Sequence, residues 1–257
     1  MRIVVIGSGF GGLGAAIRLQ AQGHEVVVVE KRDRPGGRAY VFRQNGFVFD
    51  AGPTIITAPA MIDELFALAG RRTSEAVRLV QLDPFYNVRF EDGSVFHYNG
   101  SHEHLRHEVR RFDAADVEGY ERFSAAAQRV FDCAFPLVDQ PFTTVVDMVR
   151  VLPELVRLRA DRSVARLAAR YFRDDRLRQV FSFHPLLIGG NPFDSSSIYA
   201  LIHVLEKRWG VWFAMGGTGA LVDALARLFT DLGGELRLDT EATGIDVDPV
   251  SGRARSV

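Results

Sequence analysis

The sequence predicts an α/β protein in which an open parallel sheet is interrupted by a long, mainly helical insertion. Three observations predict it. Residues 3–6 form a β-branched run that stops at Gly7, as a buried parallel strand does. Residues 11–22 carry Leu13, Ala16, Ile17 and Leu19 at helical spacing, with Gly23 placed to end the helix. Residues 26–29 repeat the apolar run and close at Glu30. Strand, helix and strand thus follow one another as one βαβ unit.

The later elements are read in the same way. Pro35-Gly36-Gly37 breaks the chain into a loop, and Phe47 and Phe49 alternate in a short strand at 46–50, before Gly52-Pro53. Residues 59–69 read as a helix begun by Pro59, with Met61, Ile62, Leu65, Phe66 and Leu68 as its apolar set. Residues 86–91 and 94–98 flank Asp92-Gly93 as a hairpin. From about residue 113 the pattern is mostly helical, broken at Gly189-Gly190-Asn191-Pro192. After Gly216-Gly217-Thr218-Gly219 a helix runs to about Asp231, strands at 235–238 and 244–247 follow, and 253–257 begins the partner of the last. The expected division is a first sheet segment over 1–75, an inserted domain over 76–215 and a return to the sheet over 216–257.

Composition excludes several classes. A chain of 257 residues, 47% of them hydrophobic, can bury a substantial core. Its formal net charge of −1 gives no global attraction to nucleic acid, and no such partner is expected. The single cysteine, Cys133, cannot form an internal disulfide, which fits a reducing cytoplasm, and reads as a small apolar filler. Met1-Arg2 leads directly into a strand without a signal-peptide pattern. No run approaches the ~20 apolar residues of a membrane span, so membrane contact would be peripheral. No metal site is expected.

The chemistry is concentrated at Gly7-Ser8-Gly9-Phe10-Gly11-Gly12, which fits G-x-G-x-x-G between a strand and a helix. Gly7 permits the tight turn, Gly9 lets the backbone approach a pyrophosphate, and Gly12 lets the helix pack closely on the strands. The helix N-terminus offers unpaired N–H groups and the favourable end of the helix dipole, typically ~0.3–1 kcal/mol for an exposed anion. Glu30 can accept both ribose hydroxyl hydrogens, whereas a 2′-phosphate would be repelled. The loop establishes a dinucleotide without saying which one. Gly216-Gly217-Thr218-Gly219 does not repeat the fingerprint, because Val222 stands where the third glycine would be needed.

The residues after Glu30 extend the signature. V-V-I-G-S-G-F-G-G-L at 4–13, followed by E-K-R-D-R-P-G-G-R at 30–38, resembles the flavin-containing amine oxidases, desaturases and related enzymes. Three further segments resemble the bacterial-type phytoene desaturases: F-V-F-D-A-G-P-T at 47–54, F-S-F-H-P through G-N-P-F at 181–193, and W-G-V-W-F through G-A-L-V at 209–222. With the glycine loop they span nearly the whole chain. The resemblance implies FAD as cofactor, in a Rossmann-like FAD-binding domain of the flavin amine oxidase and desaturase type. A mainly helical substrate domain with some strand would interrupt it. Cofactor contacts are implied at Gly7, Ser8, Gly9, Phe10, Gly11, Gly12, Glu30, Lys31, Gly36, Gly37, Arg38, Gly52, Pro53, Thr54 and Ala242. In relatives the second glycine pair approaches the phosphates and the flavin end. Ala242 stands where they often carry Val, whose backbone pairs with adenine.

The resemblance also implies a reaction: desaturation of phytoene or a related C40 carotene in carotenoid biosynthesis, with hydride transfer from the polyene to flavin. Isomerases and saturases share the scaffold, and amine oxidation on it would call for a polar, aromatic-caged site. The 19 phenylalanines suit a hydrocarbon without a polar handle, although core packing accounts for any single one. No catalytic acid or base is assigned. His184 is the titratable candidate and reads first as structural, and Asp50 reads as a turn or capping residue. Relatives carry a further C-terminal half, so the resemblance implies an incomplete enzyme that holds FAD poorly by itself. A homo-oligomer is left open.

One stretch stands apart. Residues 150–178 hold nine arginines against four carboxylates, in a chain of net charge −1. Arg159, Arg162, Arg166, Arg170 and Arg173 recur at three or four, with Val164, Leu167, Ala168 and Tyr171 on another face. A helix so patterned suits a membrane interface, as it does a solvated helix face. With a lipid-soluble substrate, the expected location is the cytoplasm, peripherally on the inner face of the cell membrane.

Overall fold

A computed structural model describes residues 1–138, 140 and 143–257. The chain opens with β1 (Arg2–Ile6), α1 (Phe10–Ala21) and β2 (Glu25–Val29), then β3 (Val41–Gln44), β4 (Phe47–Asp50), α2 (Pro59–Ala67) and β5 (Leu79–Gln81). Next come β6 (Tyr86–Arg89) and β7 (Val95–Tyr98), followed by α3 (His102–Phe112), α4 (Val117–Ala134), α5 (Val145–Arg157), α6 (Val164–Ala169), α7 (Asp175–Val180) and α8 (Leu201–Trp209). The last elements are β8 (Trp212–Ala214), α9 (Thr218–Asp231), β9 (Glu235–Arg237) and the hairpin of β10 (Asp246–Val247) with β11 (Ala254–Ser256). Two compact units result: Met1–Gln81 with Trp212–Val257, and Leu82–Val211. These junctions differ from the 75/76 and 215/216 boundaries read from the sequence. The physical reason is that β5 pairs antiparallel with β8, Leu79 opposite Ala214 and Gln81 opposite Trp212, which keeps both crossing segments in the first unit.

In the first unit β2 lies between β1 and β9, all parallel, with Ile3 opposite Val26 and Val28 opposite Leu236. Helices α1 and α9 supply Leu13, Ile17, Leu225 and Phe229 to the core that Val26 and Val28 share. Each such side chain contributes roughly 1.5–3 kcal/mol by burial. Strand β1 departs from its expected burial on both faces: Val4 is 39% and Ile6 50% exposed. Successive residues of a strand point to opposite faces, and only the face of Val5 meets this core. The strand expected at 46–50 forms as β4, but it is half of a hairpin with β3, Phe42 opposite Phe49. Its turn is Asn45-Gly46, both at positive φ, a hairpin signal legible in the sequence and passed over.

The second unit packs Tyr98, Tyr120, Phe123, Phe172 and Phe181 into an aromatic core, with the Phe172 and Phe181 rings stacked at 4.6 Å. Polar groups are buried beside these rings and satisfied by one another. His184 Nε2 lies 3.0 Å from Glu206 Oε2, and the Tyr86 hydroxyl donates to Glu206 Oε1 at 2.7 Å. The Tyr98 hydroxyl pairs with His203 Nδ1. Burial, aided by the positive charge of Lys207, pushes the His203 imidazole well below its ordinary value, so it is neutral near pH 7. His184, 1% exposed and paired, fills the structural role its sequence context favours.

The arginine-rich stretch is not one helix. Helix α5 stops at Arg157, Arg159 takes the left-handed conformation at φ 53°, and α6 begins only at Val164. Val164 and Ala168 are fully buried, so the apolar stripe that the spacing assigned to a membrane face belongs to the core of this unit. An exposed apolar face lies one helix earlier. Val145, Val149, Leu152 and Val156 share one side of α5 at i, i+4, i+7 and i+11, and each is at least 52% exposed. No helix among the described residues is long and apolar enough to cross a membrane.

Candidate cofactor site

The site begins with backbone constraints at the end of β1. Gly7 sits at φ +93°, where L side chains are strained, and its N–H donates to the Val29 carbonyl at 2.8 Å. A Cβ on Gly12 would lie 1.9 Å from the Gly7 carbonyl oxygen, so α1 passes the strand end at a distance only hydrogen allows. Gly9 is different. A Cβ there would meet Gly37 Cα at 3.8 Å and the Gly36 carbonyl at 3.9 Å, both ordinary contacts, so the fold itself has room. A Cβ on Gly11 meets nothing within 4 Å. Gly9 is also the N-cap of α1, where no side chain caps the helix and no acid occupies the first turn. A 12-residue helix therefore presents its N–H groups and positive dipole end to whatever fills this cradle. The Phe10 side chain packs on the core, leaving its backbone to face the cradle.

Glu30 is buried at the end of β2. The Ser8 N–H and hydroxyl both donate to Oε2, at 2.9 and 2.7 Å, and the Arg32 N–H donates to Oε1 at 3.1 Å. Burial works to raise the Glu30 pKa, but these three donors and the Arg32 charge outweigh it and hold the carboxyl below the ordinary glutamate value. A carboxylate offers about four lone-pair sites, and three are engaged. One remains on Oε1 for a ribose hydroxyl, so accepting both hydroxyls, as the sequence suggests, requires the Ser8 hydroxyl to turn away. Ser8 thus serves as the group that aims Glu30. The Glu30 carbonyl accepts from the Thr240 N–H at 2.8 Å, which runs the 239–242 segment, including half-buried Ala242, along the end of β2. Lys31 is exposed beside it.

The second glycine pair is pressed onto the first loop. Gly36 N–H donates to the Ser8 carbonyl at 3.0 Å, and a Cβ on Gly37 would come within 3.1 Å of Gly9 Cα. Arg38 is exposed at the end of this turn, and a Cβ on Gly52 would lie 2.0 Å from the Arg38 carbonyl oxygen. That contact brings in the Gly52, Pro53 and Thr54 loop, whose Thr54 is exposed. A clamp that sequence reasoning missed holds the loop there. Asp50 Oδ2 accepts from the Thr218 N–H at 3.1 Å, and the Thr218 hydroxyl donates to the Pro53 carbonyl at 2.5 Å. Asp50 is therefore a capping residue, but for α9, which starts 168 positions later. A Cβ on Gly217 would strike its carboxylate at 2.4 Å, so the second glycine run is filled by the chain's own anion. Among the described residues Asp50 Oδ1 has no hydrogen-bond partner, which leaves a buried acceptor in the residue that leads into the Gly52 loop.

These features fit a dinucleotide: an uncapped helix start over an open glycine cradle, and a fixed carboxylate one strand away. They predict a contrast between two glycines in the protein that carries this chain. Gly9→Ala should fold normally yet lose most bound FAD, while Gly12→Ala should lose cofactor and thermal stability together. Flavin absorbance and a melting curve read both; normal FAD content in Gly9→Ala contradicts the assignment of the cradle.

Comparisons with known proteins bear on the family and its cofactor. The profile of the family described as Flavin containing amine oxidoreductase matches residues 10–256. A lycopene-forming phytoene desaturase of Pantoea ananas is 51% identical over 96% of this chain and 51% of its own length. A neurosporene-forming phytoene desaturase of Rhodobacter capsulatus is 45% identical over 95% of this chain and 47% of its own. The chain thus spans about half the length of the curated relatives it matches. Among solved structures, a Pyrococcus furiosus protein aligns with TM-score 0.65 at 19% identity, over all of this chain and 55% of its own. A putrescine oxidase variant aligns with TM-score 0.56 at 19% identity, over 92% of this chain and 50% of its own; likeness at this identity concerns the fold. Motif and profile converge: the chain belongs to the flavin containing amine oxidoreductase family, whose cofactor is FAD.

Proposed function

We propose that this chain forms part of an FAD-dependent desaturase acting on phytoene or a related C40 carotene. The observation that carries the reading is identity of 45–52% to phytoene desaturases of several bacteria across nearly the whole chain. FAD supplies the two-electron acceptor for such a reaction. The residues of this chain bind and orient it: the Gly7–Gly12 loop takes the pyrophosphate, Glu30 the ribose, and the clamped Gly52–Thr54 loop borders the site. A hydrocarbon substrate is supported by Phe42, Phe47 and Phe49, each more than half exposed on the β3–β4 hairpin that leads through Asp50 into that loop. In cells that accumulate phytoene, the protein carrying this chain should yield coloured polyenes with longer conjugation. Unchanged phytoene, with oxidation of amines by the same protein, would favour amine oxidase chemistry; shifted double bonds without longer conjugation would favour an isomerase.

The same reading includes peripheral membrane contact on the cytoplasmic side, because the substrate resides in lipid. It is supported by α5, whose valine and leucine face is exposed while Val151 and Leu155 are half-buried. Such a helix lies in an interface with its apolar side down. Val149→Asp with Leu152→Asp should release the protein from lipid vesicles with no change in FAD content. Co-sedimentation that survives both substitutions would remove α5 as the contact.

A further inference from the structure

Several arginines of the second unit are paired with carboxylates: Arg106 with Glu121, Arg111 with Glu108, Arg122 with Glu118, Arg176 with Asp174 and Asp92, and Arg178 with Asp175. One cluster instead gathers six arginines around a single cavity. A cavity of about 240 Å³ between α4, the end of α5, the 158–162 turn and α6 is lined by Arg129, Arg157, Arg159, Arg162, Arg166 and Arg170. Among the described residues the cluster has one ion pair, Arg157 with Glu154 at 3.6 Å. Among the described residues the other five guanidiniums form no ion pair, although Asp161 lies in the same turn.

The turn that carries two of them is held in place. Arg159 occupies the left-handed conformation where a helix ordinarily ends in glycine. Its carbonyl accepts from the Ser197 hydroxyl at 3.1 Å, the Ala160 carbonyl from the Ser196 hydroxyl at 2.7 Å, and the Arg162 carbonyl from the Ser197 N–H at 2.7 Å. The C-terminal end of α5 favours nearby cations, but one helix end does not balance this many like charges. Guanidinium forks match phosphate oxygens bidentately, and a cavity smaller than the ~300–1,000 Å³ typical of drug-sized ligands suits a compact, multiply charged anion.

We propose that this cavity binds a phosphate-bearing anion, a diphosphate or phosphomonoester group, at a site separate from the FAD loop. The group could be carried by a soluble molecule or by a lipid headgroup. The test is calorimetric titration of inorganic diphosphate into the FAD-loaded protein at constant ionic strength, so that the glycine loop is already filled. One saturable site per chain is expected. Arg162→Ala with Arg166→Ala should weaken it by more than about tenfold for each guanidinium removed. The paired substitution Arg162→Lys with Arg166→Lys should weaken it less, and Arg106→Ala should leave it unchanged. Retained flavin absorbance reports that each variant is folded. In a second arm, the protein is sedimented with phosphatidylcholine vesicles containing phosphatidate. Co-sedimentation competed by diphosphate and lost in the same double variant assigns the group to a lipid; saturable diphosphate binding without such competition assigns it to a soluble molecule. No saturable diphosphate binding, or binding that the double alanine variant leaves unchanged, would overturn the proposal.

Discussion

The buried carboxylate of Glu30 sets the geometry on which the rest of the first unit depends. Taking an ionised carboxylate out of water is costly, by several kcal/mol even after relaxation, unless hydrogen bonds replace the lost solvent. Here Ser8 supplies two donors and Arg32 a third. Charge-assisted bonds of this kind contribute roughly 1.5–3 kcal/mol each, enough to offset the burial and keep the group ionised. Because Ser8 lies between Gly7 and Gly9, the same bonds fix the glycine loop to the end of β2. Local charge and loop geometry are therefore one constraint: the carboxylate is held negative by the loop it orders.

Around that lock the unit is assembled by close backbone approaches. Gly12 on Gly7, Gly37 on Gly9 and Gly52 on Arg38 are contacts in which a methyl group would clash or press on the neighbouring backbone. Each brings one segment against the next, so that residues far apart in sequence border one cradle. The Asp50–Thr218 clamp extends the chain of contacts to α9 and closes the second glycine run to outside anions. Of the two helix starts that follow a glycine run, the one at Gly9 is open and the one at Gly217 is filled.

The βαβ unit was legible because its signals are local: β-branched strands, a 3.6-residue period and glycines at fixed offsets. The helix from Thr218 and the hairpin at 86–98 were legible for the same reason. Asp50 read correctly as a capping residue, but its helix lies 168 positions away, and nothing local announces such a partner. The Ser8–Glu30 bond was equally hidden, since serine in a glycine loop reads as a ligand contact. The arginine stretch misled in the opposite direction. Its period of three to four begins at Arg159, which lies past the end of α5 in the left-handed conformation, and runs through a turn, α6 and the residues after it, so a regular spacing does not lie on one helix. Periodicity records spacing along the chain and not the break at one φ angle. The buried pair of His184 and Glu206 depends on two elements meeting, and its role was legible only as the ordinary fate of a histidine in an apolar segment.

The central claim is that Glu30, aimed by Ser8, reads an unmodified ribose beside the glycine cradle. Competition of nucleotides for the FAD site tests it most directly. Adenosine 5′-diphosphate should displace FAD from the protein carrying this chain, while its 2′-phosphorylated counterpart should displace it far more weakly, by about tenfold or more in affinity. Equal displacement by the two nucleotides would contradict the account, because a fixed carboxylate facing the ribose could not accept both alike.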